Sequence, residues 1–99
     1  MLKITPFGLY QVAGESMLPT YQPGTRLLGL RWFRRHTIKP GAIIVARQNH
    51  RLVIKRLASL TSQGAMLLGD NPSASTDSRS LGVVPLSAIE AVIISKVVQ

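Results

Sequence analysis

Ser16 is the residue of this chain whose surroundings best suit nucleophilic chemistry. It stands in Gly14-Glu15-Ser16-Met17-Leu18-Pro19-Thr20. Gly14 lets the backbone turn tightly before it, and Pro19 stops a helix from forming after it. A serine hydroxyl attacks only when a base takes its proton and a donor meets the developing oxyanion. Leu18 occupies the place of the second glycine in a Gly-x-Ser-x-Gly elbow, and 99 residues are too few for an α/β-hydrolase. The two histidines make poor bases. His36 follows Arg31-Trp32-Phe33-Arg34-Arg35, whose cations would occupy a partner carboxylate, and His50 lies in a predicted turn. The absence of cysteine excludes a thiol nucleophile, a disulfide scaffold and a zinc ribbon together.

Lys55 is the remaining base. It sits in Leu52-Val53-Ile54-Lys55-Arg56-Leu57, a strand apolar on both faces apart from its two cations. Alternation sets Lys55 beside Val53 and Leu57, and Arg56 beside Ile54 and Ala58. One of the two must approach apolar surroundings. Arginine keeps its proton in a protein, whereas a desolvated lysine can lose its charge and serve as a general base. Spacing alone leaves the alternative open, in which both side chains snorkel to solvent from an edge strand.

The elements that must position these residues read as strands. Short apolar runs predict strands over residues 8–12, 26–30, 42–47, 51–58, 65–69 and 91–98, with one short helical turn between Pro85 and Ala91. Turn signals stand between them at Gln22-Pro23-Gly24, Lys39-Pro40-Gly41, Gln48-Asn49-His50 and Ser62-Gln63-Gly64. The expected fold is all-β, one domain over residues 1–99, as a small antiparallel sheet that curls or closes to hide its edges. Two stretches exceed ordinary turns, Ala13 to Thr20 and Gly69 to Pro85; the second holds Asp70 and Asp77, half of the four acidic residues, together with Arg79. Against those four stand 12 Lys and Arg, a net charge of +8 that points to an anionic partner. No apolar run approaches the ~20 residues of a membrane-spanning helix, and no secretory signal opens the chain.

Four segments together resemble a family, the type I signal peptidases (S26 serine peptidases). Residues 14–20 resemble its nucleophile box. Lys39-Pro40-Gly41-Ala42-Ile43-Ile44-Val45 is similar to its Lys-Pro-Gly-Asp strand box, and Val53-Ile54-Lys55-Arg56-Leu57 to the strand carrying its lysine base. Gly69-Asp70-Asn71, with Ser75, Asp77-Ser78-Arg79, Gly82 and Val84-Pro85, resembles its last catalytic box. The resemblance implies a Ser/Lys dyad of Ser16 and Lys55, with Ser75 orienting the lysine. It also implies an Asp77/Arg79 ion pair holding the last loop, with Asp70 and Asn71 supporting that region. The Ser16 N–H would be one oxyanion donor. Gly14 departs from the family members that place a hydroxyl there, which leaves the second donor to backbone or water. Met17 and Leu18 are expected to line the substrate cleft, or else to pack in the core.

With 15 residues before Ser16 and no inserted subdomain between Arg56 and Leu68, the chain resembles, within that family, the small soluble proteases that mature nickel-type superoxide dismutase. The implied function is removal of an N-terminal leader from a protein precursor in the cytoplasm, with no metal or cofactor. Alternatives are the catalytic domain of a membrane-associated signal peptidase and, more distantly, a basic nucleic-acid-binding β module, for which Trp32 and Phe33 among arginines would be the base-stacking residues. No nucleic-acid partner is expected. Self-cleaving repressor-type peptidases share the dyad, but they cut a linker N-terminal to their own catalytic domain, which a chain of 99 residues is not expected to contain. Trp32 and Phe33 could otherwise pack in the core, meet a membrane interface or grip the leader. The basic surface suits an acidic precursor or peripheral contact with anionic lipid.

Overall fold

The computed structural model describes residues 5–34, 38–74 and 83–98. Six strands form one antiparallel sheet: β1 (Phe7–Gln11), β2 (Arg26–Leu30), β3 (Ile43–Gln48), β4 (Arg51–Thr61), β5 (Gly64–Leu68) and β6 (Ile89–Val98). Their order across the sheet is β1-β2-β6-β3-β4-β5. The expected helical turn before β6 is a 3-10 turn at Leu86–Ala88, and a second covers Pro72–Ala74.

β3 lies between β6 and β4, and its residues Ile43 to Ala46 are all buried, as a central strand covered on both faces requires. Ile44 and Ala46 join Leu57, Ala65, Leu67, Val84 and Ile89 in the main apolar cluster. Phe33 packs against this cluster while Trp32 remains 59% exposed, so the two neighbouring aromatics part company. β4 runs three residues beyond the predicted end at Ala58. A register shift between Leu57 and Ser59 absorbs one residue, after which Ser59, Leu60 and Thr61 pair with Met66, Ala65 and Gly64.

The sheet curls without closing. β1 and β4 are four strand spacings apart, about 19 Å in a flat sheet at ~4.8 Å per spacing. They nevertheless line one cavity of about 320 Å³. The edges among the described residues are β1 and β5. That of β5 is covered by a bridge in which Ala65 and Val84 exchange backbone hydrogen bonds of 2.8 Å, so concealment does not demand closure.

β3 and β4 are joined by a two-residue turn at Asn49 and His50, whose φ values of 52° and 66° mark it as type I′. Asparagine and histidine both tolerate that region, but glycine is the residue type I′ turns favour at the second position. His50→Gly is expected to raise the unfolding free energy by about 0.5 kcal/mol and the thermal midpoint by a few degrees, read by calorimetry.

Candidate active site

Ser16 sits on the connection between β1 and β2, whose two ends are pinned together. The Val12 N–H donates to the Thr25 carbonyl at 2.9 Å, and the Gly24 N–H donates to the Val12 carbonyl at 2.8 Å. The intervening chain is therefore a compact loop of the Ω type rather than a loose crossing. Met17 is its anchor: 1% exposed, it plugs the interior one residue from the nucleophile candidate. The loop tightens further through Leu18 N–H to Glu15 O (3.2 Å) and Tyr21 N–H to Met17 O (2.9 Å), with a cis peptide between Leu18 and Pro19. Gly14 has φ +74°, a conformation that side-chain-bearing residues rarely adopt, which explains why no hydroxyl residue stands there.

The segment after β5 grips this loop. The Asn71 N–H donates to the Ser16 carbonyl at 2.8 Å, its Nδ2 donates to the Glu15 carbonyl at 3.1 Å, and its Oδ1 accepts from Ser73 Oγ at 2.9 Å. Asp70 holds a second point, since the Thr20 hydroxyl donates to its Oδ2. Arg56 Nε and Nη2 donate to the two Asp70 oxygens at 2.8 and 2.7 Å, a bidentate pair, and Arg56 Nη1 reaches the Gly41 carbonyl at 2.9 Å. One guanidinium thereby connects β4, the turn before β3, the segment after β5 and, through Asp70, the Ser16 loop. Its hydrogen bonds hold the Asp70 carboxyl below the usual carboxylate range; burial opposes the shift and the Thr20 hydroxyl adds to it.

Lys55 is 5% exposed, in an interior strand between β3 and β5 and opposite Ile44. The edge-strand alternative for the two cations is therefore excluded: Lys55 points inward and Arg56 meets Asp70. Ser16 and Lys55 line the same cavity, together with Met17, Val45 and two runs of chain, Leu9 to Ala13 and Arg51 to Ile54. Leu18 is half-buried and does not line it. Ser75, Asp77, Arg79 and Gly82 lie outside the described residues, as does His36.

Three side chains that brace the Ser16 loop or line the cavity escape sequence reasoning. Arg56 and Thr20 do so because their partner Asp70 is distant in sequence. The β4–β5 pairing sets Arg56 opposite Leu68, two residues before Asp70, so a hairpin register carried back from the Gln63 turn contains the signal. Tyr10 is the third. Its ring lies over Gly8 and Gly29, where an added Cβ would meet ring atoms at 2.9 and 2.8 Å, and its hydroxyl donates to Glu90 at 3.2 Å. Burial, then the Glu90 charge, raise the Tyr10 pKa, so the phenol stays protonated.

Residues 5–93 match the family model described as Peptidase S24-like. The chain belongs to that family. An S24-like assignment makes this a chain of serine-peptidase type on an all-β fold, which agrees with the architecture above. The match is to the S24-like peptidases rather than to the signal peptidases that the four segments resemble. No curated protein matches the chain. Among the described residues no helix is long and apolar enough to cross a membrane.

Proposed function

We propose that this chain is a serine endopeptidase in which Ser16 is the nucleophile and Lys55 the general base, and that it removes an N-terminal leader from a protein precursor. The observation that carries this reading is the convergence of Ser16 and the buried Lys55 on one cavity, from a loop and a strand separated by 38 residues of chain. Burial suits a lysine base, because desolvation disfavours the ammonium form. Lys55 takes the Ser16 proton as Oγ attacks the scissile carbonyl, and returns it to the leaving amine as the acyl-enzyme forms. Water, deprotonated by the same lysine, then releases the acyl group and restores Ser16. The Ser16 N–H is the proposed oxyanion donor, as the resemblance implies; Gly14 offers no hydroxyl, so the second donor is backbone or water. The resemblance to the signal peptidases gives Ser75 the part of orienting Lys55 and Asp77 with Arg79 that of an ion pair; all three lie outside the described residues.

The specific substrate we propose is the precursor of nickel-type superoxide dismutase, and the compartment is the cytoplasm. Incubating the chain with that precursor and identifying the new terminus by mass spectrometry should reveal one cut, absent with Ser16→Ala. An intact precursor after prolonged incubation removes the substrate assignment. Appearance of a shortened form of the chain itself, with no second protein present, would replace trimming by self-cleavage.

A second reading, a membrane-associated leader peptidase, is favoured by exposed apolar side chains: Leu9 and Leu52 line the cavity, and Trp32 is exposed elsewhere on the surface. Sedimentation with anionic vesicles, weakened by Trp32→Ala and by salt, supports peripheral contact; sedimentation equal to that with neutral vesicles removes it.

Asn71→Ala tests the grip on the nucleophile loop. Losing the bond to Glu15 should cost about 1 kcal/mol of stability and lower kcat about tenfold with little change in KM.

A further inference from the structure

The cavity that holds Ser16 and Lys55 has a charged mouth. Of the residues lining it, only Lys55 and Arg51 are charged, and no acidic side chain is among them. The cations nearby are otherwise engaged. Arg47 lies 3.8 Å from Glu90, and Arg56 is taken by Asp70. Arg51, exposed at the start of β4 beside the type I′ turn, makes no ion pair among the described residues. The groups facing it across the cavity from β1 are apolar or uncharged: Leu9, Tyr10 and Gln11. A cation at a substrate cleft, with no ion-pair partner among the described residues and with no acidic side chain in the lining, suits an incoming carboxylate.

We propose that Arg51 is a specificity-determining residue that selects an acidic side chain in the substrate. The inference rests on the proposed function in taking an extended peptide as the occupant of the cavity. Arg51 and Lys55 are four residues apart on one strand, on the same face by alternation, so their Cα atoms are separated by about 13 Å at ~3.3 Å per residue. A peptide lying extended along β4 advances at the same rate. The selected Asp or Glu therefore lies about four residues from the bond that Ser16 attacks, with the reach of the arginine allowing one residue either way. This gives part of the +8 charge a defined task. It also sets the ionic strength dependence: an exposed pair is screened by salt, and the preference fades as salt is added.

Two measurements test this. In the first, variants of a cleaved peptide carry a single Asp or a single Lys at each position on both sides of the cut. Asp should exceed Lys by about fivefold in kcat/KM at one position about four residues from the cut. Arg51→Glu should reverse the preference at that position, and Arg51→Lys should keep its direction. In the second, fluorescently labelled uncharged peptides bearing one Asp or one Lys are titrated against the Ser16→Ala protein. Binding should favour Asp, and Arg51→Glu added to that protein should reverse it. Equal treatment of Asp and Lys, or a preference that survives Arg51→Glu, overturns the assignment of Arg51. If no peptide is cut but the binding preference reverses as described, the dyad chemistry fails while the role of Arg51 stands.

Discussion

Lys55→Met is expected to leave the chain folded and to lower its peptidase rate by about 10²–10⁴, the usual worth of a positioned general base. Methionine is close to the lysine stem in length and volume, so a site only 5% exposed is refilled with apolar atoms and loses its amine alone. Lys55→Arg should be as inactive, because a guanidinium does not give up its proton. Ser16→Ala should be at least as damaging, and the Ser16→Ala/Lys55→Met pair no worse than the single change, since nucleophile and base act in one step. The measurement is single-turnover cleavage followed by mass spectrometry, with thermal unfolding as the control. A base that works only when neutral also fixes the direction of the pH profile: the rate climbs toward alkaline pH as the lysine loses its proton. A rate already flat from about pH 5 upward, or a Lys55→Met protein that cuts like the parent, removes Lys55 from the mechanism.

What the sequence discloses about this fold follows from the range of each signal. Strand periodicity is local, and five of the six strands begin within one residue of where alternation and turn residues place them; β6 begins two residues earlier. The end of β4 is lost because Ser59, Leu60 and Thr61 carry no strand signal of their own and are held extended only by β5. The curl of the sheet is a long-range property of twist, and no residue announces that β1 and β4 will share a cavity. The candidate site divides in the same way. Ser16 and Lys55 can be singled out by type and spacing, and alternation separates Lys55 from Arg56. Deciding which of the two turns inward needs the neighbours of β4 and the position of Asp70. Asn71 could be expected to support the last loop, but its two hydrogen bonds to the backbone of Glu15 and Ser16 are a tertiary fact.

The Arg56–Asp70 pair ties the Ser16 loop to the strand that bears Lys55, so breaking it should cost both stability and activity. Asp70→Asn removes the charge and one acceptor, and Arg56 and Thr20 both lose their better partner. The Arg56 side chain is 38% exposed and rehydrates when released, so the cost stays near 1–2 kcal/mol rather than the larger figure of a buried pair. The acid limb of stability follows from the direction of the Asp70 shift. Its folded-state pKa lies below the unfolded one, so the unfolded chain binds the extra proton. The contribution is therefore complete above the ordinary aspartate value of ~3.9 and vanishes as pH falls through the folded-state value. Denaturant midpoints of parent and Asp70→Asn should differ at neutral pH and converge at strongly acid pH; a gap independent of pH would mean that the pair contributes no charge-dependent stability. Catalysis should suffer more than stability. With Thr20 released, the loop keeps Met17 as its plug and Asn71 as its clamp but loses the brace on its far side, and a nucleophile at Ser16, as proposed, would need only a small displacement to lose its alignment. A drop of about 10² in kcat at a pH and temperature where Asp70→Asn remains folded is the expected result. Unaltered turnover in a protein measurably less stable would make the pair a brace for the fold alone.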